Sequence, residues 1–318
     1  MKGLVLRGSR NLFIIRVNTN GEDREIDCRI KGKILKGARG QYNALAPGDV
    51  VEVENGLILG LAERRNAFAR FNQKGQAPQL LAANVDLVLC VSSVSSPPFR
   101  PRFIDRVLLQ AAAAGIPAAI VCNKYDLAQT EGSVALASPD TEERLSDFER
   151  MGVPVFRLSA LSGKGLDKFV RFIGGRFSVL VGQSGVGKSS LLKALSPSLE
   201  IRTGPVNEKF DRGNHTTTQS VLLDVPASDA PGTRIIDTPG IRRFALAGIK
   251  SEDLILYMSE FAPLAGKCSY GLSCSHESEP GCKIMEAVAA GIIHEDRYKS
   301  FLSIREELSG GILNPDYD

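Results

Sequence analysis

Hydrophobic and polar positions divide the chain into three stretches of different character. From Leu4 to Gly60 the apolar residues fall in short or alternating runs broken by Gly, Asn and Pro: LFIIRV at 12–17, EIDCRIKGKIL at 25–35, GDVVEVE at 48–54 and LILGLA at 57–62. Several short strands with turn residues between them predict a small all-β barrel of the OB type. From Asn84 the runs become almost continuously apolar, in DLVLCV (86–91), AAIVCN (118–123), VPVFRL (153–158), FSVLVG (177–182), VLLDV (221–225) and RIIDT (234–238). Such runs read as strands covered by helices on both faces. FIDRVLLQAAAAG (103–115) and TEERLSDFERMG (141–152) have helical spacing and end at Gly, so strand and helix alternate as in a doubly wound α/β domain. Beyond Ser251 the pattern predicts a helix, a loop rich in Cys, Gly and Ser, and a last helix in HEDRYKSFLSIREELS, with Tyr298, Phe301, Leu302 and Ile304 on one side. The expected division is a barrel at 1–65, an α/β domain at 66–250 and a mainly helical module at 251–318.

Composition narrows the class. A chain of 318 residues with 43% hydrophobic and 24% charged residues is globular, and no run nears the ~18 apolar residues of a membrane span. The N-terminal MKGLVLRGSRNLFIIRV lacks the pattern of a secretory signal, so a cytoplasmic location is expected. Six widely spaced cysteines do not suggest a disulfide framework, and Cys90 and Cys122 read as core thiols. Net charge is only +3, but residues 1–65 hold 12 Lys and Arg against 8 Asp and Glu. Arg29, Lys31 and Lys33 alternate with Ile30, Gly32 and Ile34, which puts three cations on one strand face, and Lys36 and Arg39 extend the run. This is either a solvated face or a groove that tracks an RNA backbone. Arg64, Arg65 and Arg70, interleaved with Phe68 and Phe71, favour the groove.

The chemistry is written most plainly in the middle stretch. Gly182, Gln183, Ser184, Gly185, Val186, Gly187, Lys188 and Ser189 match G-x-x-x-x-G-K-[ST], follow the strand FSVLV and open the helical run that begins with Ser190. Glycines let backbone amides curl round a β-phosphate, the helix N-terminus favours the anion, Lys188 reaches the β- and γ-phosphates, and the Ser189 hydroxyl suits Mg²⁺. Asn123, Lys124, Tyr125 and Asp126 form NKYD at the carboxyl end of another strand, where ligands of open α/β sheets bind. A carboxylate accepts hydrogen bonds from N1 and N2 of guanine, and adenine offers no such pair, so Asp126 selects GTP. The Lys124 stem covers the base and Asn123 ties the two loops together. Ser159 and Ala160 begin a loop, SALSG, whose Ala160 amide is suited to guanine O6. Asp237 and Gly240 stand in DTPG, as a water-mediated Mg²⁺ ligand and a γ-phosphate sensor.

Between the phosphate loop and DTPG lies the polar stretch NEKFDRGNHTTT. Thr216 or Thr217 is placed to complete the Mg²⁺ shell, with Thr217 preferred. The position after Gly240, where many GTPases carry a water-orienting Gln, is Ile241, so intrinsic hydrolysis should be slow. His215 is the candidate to position water. The motif order is inverted relative to an ordinary small GTPase, with NKYD and SALSG ahead of the phosphate loop. Sheet packing depends on which strands are neighbours, so a chain re-cut at another loop keeps the same contacts. The motifs therefore read as one rotated site, from which the chain exits directly after DTPG, so that loss of a γ-phosphate would pull on the C-terminal module.

In that module, Cys268, Cys274, His276 and Cys282 gather within fifteen residues. Three thiolates and an imidazole make a closed tetrahedral set suited to one structural Zn²⁺. His294 lies outside it and reads as a helix-start residue.

An OB barrel, NKYD before GQSGVGKSS, a GNHTTT stretch, DTPG followed by an apolar residue and a Cys/Cys/His/Cys module together resemble the circularly permuted, ribosome small-subunit-dependent GTPases of the RsgA type. The resemblance spans nearly the whole chain. It implies GTP hydrolysis to GDP stimulated by the small ribosomal subunit, binding to ribosomal RNA late in subunit maturation, and catalysis attributed to His215. It also implies four residues between the first two cysteines, where this chain has five, a difference that bears on loop shape. A monomer is expected. The competing readings are a metabolic P-loop kinase and an RNA-binding scaffold with a structural nucleotide.

Overall fold

The computed structural model describes residues 1–9, 11–31, 40–129, 139–197, 219–225 and 232–310. Strands β1 (Lys2–Ser9), β2 (Leu12–Thr19), β3 (Glu22–Ile30), β4 (Val50–Glu54) and β5 (Leu57–Leu61) close into a barrel in the order β1-β2-β3-β5-β4, with β1 returning to β4. Only β3 and β5 run parallel, at Arg29–Leu57 and Ile30–Ile58. Alternate residues point inward, so Phe13, Ile15 and Val17 of β2 meet Val51 and Val53 of β4 and Ile58 of β5 in the barrel core.

Strands β6 (Ala67–Asn72) and β7 (Ala77–Ala83) form a separate antiparallel hairpin. Its residues correct one expectation. Phe68 is fully buried and its ring packs 5.8 Å from that of Phe244. Arg64 donates to both oxygens of the buried Asp49, at 2.7 and 2.9 Å, and Arg65 pairs with Asp86 at 2.7 Å. Phe68 and Arg64 are therefore used inside the protein and do not extend a nucleic-acid groove, whereas the Arg65 side chain stays 60% exposed in its pair.

The central sheet is built from β8 (Leu87–Ser93), β9 (Ala118–Asn123), β10 (Val155–Arg157), β11 (Phe177–Gly182), β12 (Val221–Asp224) and β13 (Arg234–Asp237), in the order β10-β9-β8-β11-β13-β12. All neighbours are parallel except β12 and β13. Helices α1 (Pro101–Ala113), α2 (Pro139–Arg150), α3 (Leu166–Ile173) and α4 (Lys188–Leu195) follow β8, β9, β10 and β11. Ile104 and Val107 of α1 join one apolar core, while Phe169 of α3 and Leu191 and Leu192 of α4 join a second, so both faces of the sheet are covered. This is why every residue of β8 and β11 is buried. Strand β11, eleventh in sequence, lies between β8 and β13, with Ser178–Gly182 in register against Leu87–Val91. Among the described residues no helix is long and apolar enough to cross a membrane.

The helix expected just after Ser251 is instead a series of short 3-10 turns at Leu254–Tyr257, Ala262–Leu264 and Gly271–Ser273. Pro263 and the left-handed Gly266 prevent a longer helix there. Helices α5 (Lys283–Ala289) and α6 (Glu295–Leu308) follow, and His294 caps α6 by accepting from the Asp296 amide at 3.1 Å.

Two kinds of contact hold the flanking parts to the sheet. At the barrel, Arg16 pairs with Asp224 of β12 at 2.6 Å, and Leu6 shares an apolar cluster with Leu222. At the other side, Arg297 of α6 donates to Asp105 of α1 at 2.7 Å and to Glu260 at 2.6 Å. Asp105 also faces Arg144 of α2 at 3.3 Å, and Arg144 is held by Asp147 at 2.6 Å. Burial opposes the charge on Arg297, but its two carboxylates more than compensate and keep the guanidinium protonated. Removing one partner from such a buried set leaves an uncompensated charge. Asp105→Ala is therefore expected to destabilise the fold by about 3–5 kcal/mol in urea unfolding, whereas Arg16→Ala, at a partly exposed pair, should cost no more than about 1 kcal/mol.

Candidate nucleotide site and metal centre

Strand β11 ends at Gly182, and the loop from there to Gly187 turns directly into α4. Gly187 caps that helix in the left-handed conformation, φ +93°, and a Cβ on it would sit 2.3 Å from the Asn123 amide nitrogen. Only glycine fits on both counts. Lys188 is buried and its ammonium donates to the carbonyls of Gly182 and Gln183 at 2.9 and 3.1 Å. Burial lowers its pKa, against the pull of Asp237. Ser184, Ser189 and Ser190 are exposed on the same loop and helix start, while Val186 is buried beneath them.

Asp237 ends β13, next to β11 in the sheet. Its carboxyl is pushed up to about 6 by burial, with Lys188 acting in the opposite sense, and its Oδ1 is buried without a hydrogen-bond partner. Thr238 Oγ1 donates to the Leu180 carbonyl at 2.7 Å, and the Ile241 amide donates to the Gly182 carbonyl at 3.1 Å. A Cβ on Gly240 would lie 2.8 Å from Ser184 Cα, so DTPG packs straight onto the phosphate loop. Ile241 is itself buried, its amide used as a clasp.

The NKYD turn reaches the same loop from β9. The Asn123 side chain, 1% exposed, donates to the Val186 carbonyl at 3.0 Å and accepts from the Ala160 amide at 2.9 Å. One carboxamide therefore joins the phosphate loop to the SALSG loop, and the Ala160 N–H, expected to face guanine O6, is instead bonded to Asn123. Lys124 is left-handed, φ +60°, and its ammonium donates to the Ser96 carbonyl at 2.5 Å. Asp126 lies in the 3-10 turn Tyr125–Gln129, and its Oδ1 is buried without a hydrogen-bond partner. Ser159 is buried and its hydroxyl accepts from the Ser162 amide at 3.1 Å, which shapes the turn that presents Ala160. The structure thus brings Asn123, Lys124, Asp126, Ser159, Ala160, Gly182–Ser190, Asp237 and Gly240 to the carboxyl edge of the sheet. His215, Thr216 and Thr217 lie outside the described residues.

Sequence reasoning missed the loop after β8. Ser96 holds Lys124, and Pro97 stands 3.6 Å from where a Cβ on Gly185 would be. Its sequence carries no nucleotide signature. Only the adjacency of β8 and β11 could have pointed to it.

In the C-terminal module the ligand atoms of Cys268, Cys274, His276 and Cys282 all lie within 4.8 Å of one another, and all four residues are buried. His276 Nδ1 is 3.5 Å from Cys268 Sγ and 3.4 Å from Cys282 Sγ, and the two sulfurs are 3.9 Å apart. Ligand bonds of about 2.0 Å to nitrogen and 2.3 Å to sulfur give tetrahedral edges of about 3.6 and 3.8 Å, so the cluster has the dimensions of a four-coordinate metal site. The backbone serves it too. The Lys283 amide donates to Cys268 Sγ at 3.3 Å, and Tyr298 donates to the His276 carbonyl at 2.6 Å. The five-residue interval between the first two cysteines contains the turn Gly271–Ser273, with Gly271 left-handed. Of the basic stripe, Arg29 and Lys31 are exposed at the end of β3, and Lys33, Lys36 and Arg39 lie outside the described residues.

The RsgA GTPase family model matches residues 61–247. The small ribosomal subunit biogenesis GTPase RsgA of Chlorobaculum parvum is 34% identical over 322 residues, covering 97% of this chain and 98% of its own. The protein of the same name from Bacteroides fragilis (strain YCH46) is 35% identical over 324 residues, covering both chains fully. The crystal structure of YjeQ from Thermotoga maritima superposes with a TM-score of 0.71 at 28% identity, over 98% of this chain and 99% of that one. YloQ, described as a circularly permuted GTPase, shares the fold with a TM-score of 0.66 at 24% identity, over 97% and 95%.

The cluster geometry generates one prediction. The purified protein should carry about one metal ion per chain by elemental analysis, and Cys282→Ser should lose it together with thermal stability of the C-terminal module. Full metal content in the variant would mean that the ion sits elsewhere.

Proposed function

The chain belongs to the RsgA GTPase family, and from that premise we propose that it hydrolyses GTP to GDP and phosphate on the small ribosomal subunit during late subunit maturation. The observation that carries this reading is the bridge made by Asn123. It ties the base-reading turn to the phosphate loop, so the inverted motifs serve one ligand. Strand spacing supports it. From β9, which leads into the turn carrying Asp126, to β13, which ends at Asp237, is three inter-strand steps, about 14 Å. That is commensurate with a triphosphate extended across the sheet edge, its base at Asp126 and its γ-phosphate near Gly240. The buried Asp126 Oδ1 without a partner suits the guanine N1 and N2 hydrogens.

In this reading Lys188 and the amides of Gly182–Ser190 hold the β- and γ-phosphates. Magnesium, held by Ser189 and Thr217 and through water by Asp237, supplies neutralisation of phosphate charge. The unpaired, buried Asp237 Oδ1 fits that role. His215 positions the attacking water, since Ile241 offers neither a side-chain donor nor a free amide. The Cys268, Cys274, His276 and Cys282 cluster holds zinc, because three thiolates and an imidazole complete its shell and leave no open position. The ion is structural, fixing a module whose loops have little core of their own. Arg29, Lys31, Lys33, Lys36 and Arg39 form a backbone-tracking face for ribosomal RNA. The protein works as a cytoplasmic monomer.

Two measurements test the reading. Phosphate release from GTP should rise at least about tenfold with saturating small subunits and fall about 100-fold from that level in His215→Ala. A rate indifferent to subunits would remove the proposed activator, and a fully active His215→Ala would remove the proposed water-positioning group. Asp126→Asn should lose GTP affinity by at least about 100-fold and gain affinity for xanthosine triphosphate, followed by nucleotide titration. A metabolic kinase would show neither the guanine preference nor the switch.

A further inference from the structure

The guanine-reading turn has a second attachment, on the side away from the phosphate loop. Tyr125 stands between Lys124 and Asp126, and its hydroxyl donates to Glu142 Oε1 at 2.5 Å. The other oxygen of Glu142 accepts from Arg157 Nε at 3.1 Å. Arg157 is the last residue of β10 and is followed by Leu158, Ser159 and Ala160. Its two terminal nitrogens are held in turn by Glu149, at 2.7 and 3.2 Å. Glu142 and Glu149 are seven residues apart, two turns along one face of α2, so a single guanidinium spans both. One carboxylate therefore accepts hydrogen bonds from both base-reading loops.

We propose that Glu142, through Tyr125 and Arg157, is a positioning residue for guanine recognition that fixes the turn carrying the Asp126 carboxylate relative to the end of β10. The inference rests on the reading of Asp126 as the base reader. Two features of the turn make an outside support necessary. Beyond the bonds of the 3-10 turn itself, its backbone is tied by Leu127 donating to the Lys124 carbonyl at 3.0 Å and Tyr125 donating to the Leu158 carbonyl at 3.0 Å. Leu127, immediately after Asp126, is 37% exposed and is not part of the buried core. The Tyr125 side chain thus supplies the turn's side-chain anchor on that face. Burial, and then the Glu142 hydrogen bond, push the Tyr125 hydroxyl up to about 12, so it remains a neutral donor across the working pH range.

A carboxylate that receives two hydrogen bonds from one base edge tolerates little displacement. Inosine nucleotides lack the exocyclic amine and keep only one of those bonds, so the preference for GDP over IDP measures how well Asp126 is aimed. The full-length protein is titrated with GDP and with IDP as wild type, Tyr125→Phe and Glu142→Gln. Tyr125→Phe keeps the ring and removes only the hydroxyl. Its GDP affinity should fall about five- to tenfold while IDP affinity changes about twofold or less, which narrows the preference at least about threefold. Glu142→Gln should narrow it similarly, and the double variant should add little to either single one. A preference unchanged in both variants, even with lowered melting temperatures, would reduce the brace to ordinary structural support and overturn the proposal. Wild-type protein that binds GDP and IDP alike would instead overturn the assignment of Asp126 itself.

Discussion

The carboxamide of Asn123 is used at both ends in a site where neither end has an alternative partner. Its nitrogen reaches the carbonyls of Val186 and Gly187, at 3.0 and 3.4 Å, and its oxygen receives the Ala160 amide. At 1% exposure water cannot replace these bonds. Each buried backbone group left unpaired would cost about 1–3 kcal/mol. The same side chain dictates its surroundings, since it occupies the space a Cβ on residue 187 would need. A contact of this kind is indifferent to chain order. It requires only that β9 and β11 flank β8, and the register of the three strands secures that whichever segment is made first. Permutation leaves the nucleotide site intact because its critical bond is between neighbours in space.

What permutation does change is how the rest of the chain is attached. The segment leaving Gly240 is fastened before it reaches the C-terminal module. Phe244 is buried against Phe68 and Phe103, and Gln110 of α1 exchanges two hydrogen bonds with Ala247, at 2.8 and 3.2 Å. The segment between Gly240 and the module is therefore anchored to α1 along its way. The module is bound to α1 and α2 by the buried set around Asp105, where losing a partner is expensive. The barrel is held differently. Arg16 and Asp224 are 22% and 50% exposed, a pair worth at most about 1 kcal/mol. Strand β12, which carries Asp224, begins three residues after Thr218. The barrel's ion pair to the sheet is thus a weak one, and its firmer attachments are Leu6 in the apolar cluster and the bonds from Ala83 and Asn84 to the Pro47 and Gly48 carbonyls, while the C-terminal module is held against α1 by the buried set.

The pattern of apolar runs made the sheet legible, because strands covered on both faces have a distinctive composition. It made the grouping of the candidate site legible too, since Gly187, Lys188, Asn123 and Asp126 belong to motifs that the fold brings to one sheet edge. Three things escaped it for physical reasons. The β6–β7 hairpin has a mixed composition, and the cations of Arg64 and Arg65 looked available because Asp49 and Asp86 are 15 and 21 residues away in sequence. The 3-10 turns after Ser251 carry helix-like composition but are cut short by Pro263 and Gly266. The supports of the site, Ser96, Glu142 and Arg157, act through a carbonyl or an ion pair, and neither leaves a motif.

Two carboxylates of the candidate site hold buried oxygens in reserve. Asp126 and Asp237 each bury an oxygen with no hydrogen-bond partner, at the two ends of the constellation. For Asp237 the cost can be scaled. Its carboxyl titrates near 6 against an ordinary 3.8, because burial disfavours the anion more than Lys188 favours it. A shift of about two units corresponds to about 3 kcal/mol. The sign follows from linkage: the folded chain holds this proton more tightly than the unfolded one. The penalty is therefore absent below the unfolded pKa, grows as pH rises towards 6, and is complete at neutrality. A fold of marginal stability keeps such a residue only where something else repays it. On the proposed function, the buried carboxylate, held in place by β13 and by Thr238 bonded to Leu180, is the group whose charge a cation beside the phosphates would compensate.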